Sequence, residues 1–238
     1  MKTCTNEAER LTAWAAIAGG IFAYLNIIFM VILTRADMSL TLDGGWMLTL
    51  PAEAREYFRL SMFADVLGFY LPVLVIGGYL WNRFRHEAGA KGDMAVLAIT
   101  TYVVLGVTGA SLQLAVLNPL AELHAAGSEA VKAAAETTWT AIAVGSQRGL
   151  WWCEGPVVLF WGLVVAPHLK KEGCPASLLW PLTVVGWSFV LFFVTGFFPV
   201  LEQLSYLCLV IAVAFFPMWM LMFGLHLRHR QASSPLGA

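Results

Sequence analysis

Six stretches of this sequence are each long enough to cross a bilayer as a helix and are almost free of charge: residues 11–34, 58–81, 93–117, 139–167, 177–198 and 203–227. A helix rises about 1.5 Å per residue, so a hydrocarbon layer of about 30 Å takes about 20 residues. None of the runs shows the short alternation of a membrane barrel strand. In lipid, backbone polar groups must be satisfied within the segment, which leaves helices as the solution. The expected fold is therefore all-α: a polytopic membrane bundle of six transmembrane helices, one transmembrane domain over residues 1–238. Charged residues make up 12% of the chain, half the roughly 25% of soluble domains. The first run exceeds the apolar core of a cleaved signal, about 7–15 residues, and no A-x-A-like site follows it. It is expected to remain as span one.

Basic residues set the expected orientation. Arg83, Arg85 and Lys91 follow span two, Lys170 and Lys171 follow span four, and Arg228 and Arg230 follow span six, with Lys2 and Arg10 ahead of span one. In a six-span plan all of these share one face, so both termini are expected to be cytoplasmic, in the inner membrane of a bacterial cell. The outer loops, 35–57 and 118–138, are richer in acid. A helix is expected to start at Pro51, and the alanine-rich stretch before span four should form a lid or an extension of it. The tail SSPLGA is expected to be disordered. Trp14, Trp46, Trp81, Trp139 and Trp180 lie near span ends, where tryptophan anchors helices at the interface.

A polar residue at bilayer depth is costly facing lipid, is turned inward, and suggests function. The set here is Asn26, Asp65, Gln113, Gln147, Arg148 and Glu154, with Arg59 and Glu202 near the outer span ends. Asn26, Asp65, Gln113 and Arg148 fall on the outer side of their span midpoints and Glu154 near the midplane. Antiparallel spans thus place polar groups in one half of the bilayer, which predicts a shared pocket opening outward. At helical phase, Gly145, Gly149 and Cys153 form a small-residue stripe for close helix approach. Gln147, Trp151 and Glu154 lie opposite. Arg148 projects between, one turn from Trp152 and within cation–π range. Pro156 should kink span four. Ser61, Asp65, Gly68 and Pro72 share a face of span two. Asp65 and Arg148 lie at similar depth, which predicts a direct or water-mediated ion pair, with Arg59 as the competing partner of Asp65. Trp151 and Trp152 are too deep for anchoring and should wall the pocket.

Several chemistries lack their residues. A net charge of −1 and no basic patch give no grip on nucleic acid. Four cysteines, Cys4, Cys153, Cys174 and Cys208, include no CxxC pair, so neither zinc nor a disulfide framework is expected. Cys153 and Cys208 should be buried as small hydrophobes. His86, His168, His226 and His229 belong to the cytoplasmic edge and His124 to an outer loop, so no metal or haem is implied. HExxH, P-loop and GxSxG elements are absent. No cofactor is expected.

The paired glycines Gly19-Gly20, the Arg-x5-Asp pattern of Arg59 and Asp65, the run LLWPLTVVGWSFVLFF and a closing helix starting near Glu202 carry a resemblance. Together they resemble a bacterial family of small six-helix membrane proteins catalogued as a domain of unknown function. The resemblance implies the six-span plan and no settled activity. The run SQRGLWWCEGP in span four stands outside it.

Three functions compete. In the first, the pocket binds a hydrophobic or amphipathic small molecule, with acid chemistry of the cyclase or isomerase kind as its stronger form. Glu154 and Asp65 would then be catalytic, and Arg148, Gln147, Trp151, Trp152, Asn26, Gln113, Arg59 and Glu202 would contact the ligand. In the second, Asp65, Arg148 and Glu154 relay charge in a small proton-coupled carrier, for which a homodimer would offset the small size. In the third, the polar cluster is structural, in a sensor, immunity or assembly factor. Membrane lipids are the expected surroundings in each.

Overall fold

A computed structural model describes residues 2–233, with side chains from 7 to 232. The side chain of Lys2, Cys4 and the tail 233–238, which bear on the orientation, cysteine and disorder expectations, lie outside the described side chains. Among the described residues the chain has no strand and consists of helices joined by short turns, with α1 Lys2–Thr34, α2 Gly44–Thr49, α3 Ala52–Asp65, α4 Leu71–Ala88, α5 Ala90–Ala126, α6 Glu129–Gly145, α7 Glu154–Lys171, α8 Ala176–Gly196 and α9 Glu202–Ser233. Six helical stretches are long and apolar enough to cross a membrane: α1, α3 continued by α4, α5, α6 continued by α7, α8 and α9. This is a multi-pass, all-α bundle. The spans outrun the apolar runs because polar flanks continue the helix; α5 passes Pro119 and reaches Ala126.

The spans close into a ring. α1 packs on α9, α9 on α8, α8 on α7, α7 on α5, α5 on α4, and α3 and α4 return to α1. Lipid tails are as apolar as leucine, so helix association in a bilayer depends on close packing more than on solvent exclusion. Gly19 and Gly20 supply it on two sides. A Cβ on Gly19 would lie 2.6 Å from Pro72 of α4, and one on Gly20 would lie 2.5 Å from Leu221 of α9.

The start of α1 and the end of α9 lie at one end of the bundle. Arg228 of α9 stacks over Trp14 of α1 at 4.5 Å. At the same end Glu172, after α7, meets Arg83 of α4 and Arg230 of α9. The other end is capped by the 3-10 turn Met38–Leu42 and by α2. Pro51 precedes α3 as its N-cap residue, and the alanine-rich stretch forms α6, an extension of span four. Trp139 is not an interface anchor. It is wholly buried, packs edge-on against Phe58, and donates to the Thr41 carbonyl at 3.0 Å, which pins the cap to the bundle.

Spans two and four are not continuous α-helices. Each carries a five-residue π-helical turn, Val66–Tyr70 between α3 and α4 and Ser146–Leu150 after α6. In span four a turn at residues 151–153 comes next, and α7 starts afresh at Glu154. The expected kink at Pro156 is thus displaced upstream. Pro156 stands in the first turn of α7, where its missing N–H is harmless.

Candidate functional site

The two π turns and the turn that follows the second position Asp65, Tyr70, Gln147, Arg148 and Glu154. A π turn carries one residue more than an α turn, and such insertions are frequent at functional sites. The extra residue rotates the remainder of the span, so faces read at 100° per residue do not hold across it. The polar residues resolve into two groups.

The first group is buried. Glu154, the first residue of α7, is 3% exposed, and Asp65, the last of α3, is 8% exposed. The Tyr70 hydroxyl donates to Glu154 Oε1 at 3.1 Å. The Tyr70 ring lies 5.1 Å from that of Tyr102 on α5. Tyr70 thus joins α5 to the start of α7, with Tyr102 against its ring and Glu154 on its hydroxyl. Asp65 Oδ2 is buried with no hydrogen-bond partner. An unpartnered buried polar atom costs about 1–3 kcal/mol, and more when charged. Tyr70 is not among the site residues expected from the sequence. It stands five residues after Asp65, off its face in an α-helix, and the π turn brings the two to one side.

The second group lines a cleft of about 680 Å³ at the capped end, between the loop after α1, the π turn of span four and the start of α9. Gln147, Arg148, Trp152 and Glu202 line it. Arg148 Nη2 donates to Glu202 Oε1 at 2.9 Å, with both side chains more than half exposed, at 58% and 68%. Trp152 stacks against Phe197 at 4.3 Å and donates to the Phe192 carbonyl at 2.9 Å. Gly196 leaves the space for its indole, since a Cβ there would lie 2.5 Å from the ring. The wall is therefore aromatic on one side and charged on the other. Asp37, Ser39, Gln203 and Ser205 also line the cleft. They sit in loops and helix starts, where polar residues are ordinary and nothing in the sequence marks them.

The remaining expected residues act elsewhere. Gln113 accepts from Gln147 at 2.9 Å, and Gln147 in turn accepts from Thr41 at 3.2 Å, a chain joining α5, span four and the cap. Asn26 donates to the carbonyl and hydroxyl oxygens of Ser61, fastening α1 to α3. Trp151 donates to the Gly106 carbonyl at 3.3 Å and stands between the two groups. Arg59 is exposed and bonds Glu56 one turn away at 2.6 Å.

The single shared pocket is overturned, since Asp65, Glu154, Asn26, Gln113 and Arg59 do not line the cleft, and four further expectations fall with it. Asp65 and Arg148 are not directly paired: Arg148, in the π turn of span four, turns outward to Glu202, while Asp65 stays inside. Arg148 is not in cation–π contact with Trp152; such contacts among the described residues are Arg85 on Trp81 and Arg228 on Trp14. A Cβ on Gly145 or Gly149 would meet nothing within 4 Å, so their stripe seats no helix. Gly155 does that work, a Cβ there lying 2.5 Å from the Phe189 carbonyl of α8. Cys153, at the end of the same stripe, is exposed, whereas Cys208 is buried as expected. On span two, Ser61, Asp65, Gly68 and Pro72 are all buried together.

Among the described residues no group of three or more His, Cys, Asp or Glu side chains is placed to hold a metal ion. No protein-family model, curated protein or solved structure matches the chain.

Proposed function

We propose that the protein is a membrane-embedded binding protein for an amphipathic small molecule, held in the cleft at the capped end. The observation that carries this is the Arg148–Glu202 pair. An ion pair this exposed contributes about 0–1 kcal/mol to stability, so a fastening role explains little of it. Its position in a cleft also lined by Trp152, Phe192 and Phe198 offers opposite charges to a polar head and aromatic side chains to an apolar body. A zwitterionic head matches both charges. Basic residues at the end bearing the termini favour a cytoplasmic location for that end, so the cleft opens outward from a bacterial inner membrane.

Acid catalysis on the bound molecule has less support, because Glu154 and Asp65 do not line the cleft. A small carrier is the second reading. It is favoured by the interruptions in spans two and four, since broken helices accompany transport sites in other folds.

The test uses the full chain in liposomes doped with phosphatidylethanolamine bearing a photoreactive diazirine on its acyl chain. Crosslinks should concentrate on Trp152, Phe192 and Phe198. They should fall to the level of lipid-facing Leu97 and Leu163 in an Arg148→Gln, Glu202→Gln double variant of unchanged melting temperature. Labelling spread evenly over the lipid-facing surface sinks the proposal. Ion-dependent flux through the same liposomes, lost on Glu154→Gln, would establish the carrier.

A further inference from the structure

We infer that Asp65 and Glu154 together hold one exchangeable proton at the centre of the bundle, whether or not the outer cleft is filled. They are the two carboxyl groups in the buried set of described residues, and that set contains no lysine or arginine. The surrounding elements bring no positive charge to them. The π turn of span two presents Tyr70, α5 presents Tyr102, and Cys153 adjoins Glu154. From α8 and α9, Phe189 and Phe216 pack on Tyr102 at 6.2 and 5.9 Å. From α1, Asn26 is engaged by Ser61. None of these groups is a cation.

Two carboxylates buried in one bundle, at the two ends of the Asp65–Tyr70–Glu154 connection and without a buried cation, cannot both keep their charge at acceptable cost. One proton bound to either oxygen pair removes the repulsion and leaves a single negative charge. That remaining charge is provided for. Tyr70 donates one hydrogen bond to Glu154, and the start of α7 favours a negative group at its first residue. The unpartnered Asp65 Oδ2 supplies the second, independent observation: a buried oxygen with a free position on the same cluster. Both carboxyls adjoin helix interruptions. Asp65 directly precedes one π turn, and Glu154 directly follows the turn after the other.

The experiment is infrared difference spectroscopy on the full chain in liposomes of neutral lipid, titrated in pH with potassium as the only salt cation. The wild type should show a protonated-carboxyl C=O stretch at neutral pH. That band should shift in D2O and disappear reversibly at alkaline pH, and it should be missing from an Asp65→Asn, Glu154→Gln double variant. If the double variant does not fold, the D2O shift and the alkaline titration of the wild type decide the matter. The proposal is overturned if the wild type has no such band at neutral pH or if the band does not exchange in D2O. Survival of the band in the folded double variant also overturns it. So does loss of the band on adding sodium at constant pH, which would make this a sodium site. None of these readouts depends on whether the cleft is filled, because Asp65 and Glu154 do not line it, so failure here leaves the cleft proposal standing, and the reverse.

Discussion

Tyr70 reaches Glu154 because Gly106 has no side chain. A Cβ on Gly106 would sit inside the Tyr70 ring, so a single methyl must displace the tyrosine. Gly106→Ala is expected to destabilise the bundle by about 1–3 kcal/mol from overpacking, with a similar cost if the hydrogen bond to Glu154 is lost. The two losses can be told apart by a double-mutant cycle with Tyr70→Leu, followed by thermal unfolding in detergent. In the Tyr70→Leu background the added methyl has room, so the Gly106→Ala penalty should shrink. An equal penalty in both backgrounds would mean that Gly106 matters for reasons other than Tyr70. Gly109 plays the same part for Trp151, whose indole occupies the place of its missing side chain.

At the scale of elements, the interruption of span four separates the cleft from the buried carboxyls. Deleting Gly149 tests this, because a π turn is an α-helix with one residue inserted and removing one restores the α register. Gly149 is suited to deletion, since nothing in the bundle leans on it. The six spans should still insert, with less than about 3 kcal/mol of stability lost. Gln147 and Arg148 should turn away from Gln113 and Glu202, and diazirine labelling at Trp152 should fall to background. Retained labelling would show that the cleft does not need the wide turn. The same interruption explains how much of the molecule is legible in its sequence. Length and apolarity are enough for six helices, for their all-α class and for the set Asp65, Gln147, Arg148 and Glu154. Pairing is not legible, because assigning partners at 100° per residue runs through segments that do not follow that angle. Asp65 with Arg148, and the stripe of Gly145 and Gly149, fail for that one reason. Tyr70 and Tyr102 stay hidden for another: tyrosine is ordinary in a membrane helix, and nothing in one sequence marks a tyrosine that faces a carboxyl.

For the whole molecule the ring of spans makes a prediction about sidedness. Glu172 joins Arg83 and Arg230, and Arg228 covers Trp14, so the α4–α5 and α7–α8 connections and the C-terminal part of α9 form one surface with the start of α1. The helix ends beside those connections carry Lys91, Lys170 and Lys171, and basic residues close to the ends of spans are retained on the cytoplasmic side. The α5–α6 connection at Ser128 lies at the other end and is exposed, as is Lys91 at its own end. A single helix, α5, separates the two positions. Its 37 residues, Ala90–Ala126, are more than a bilayer requires at about 1.5 Å per residue, so Lys91 and Ser128 must emerge on opposite sides. In a cysteine-free background expressed in bacterial cells, Ser128→Cys should react with a membrane-impermeant maleimide added to intact cells. Lys91→Cys should react only after permeabilisation. The reverse pattern would turn the molecule over and face the cleft to the cytoplasm. Labelling of both sites in intact cells would mean that α5 does not cross the membrane, and the six-span topology would fall with it.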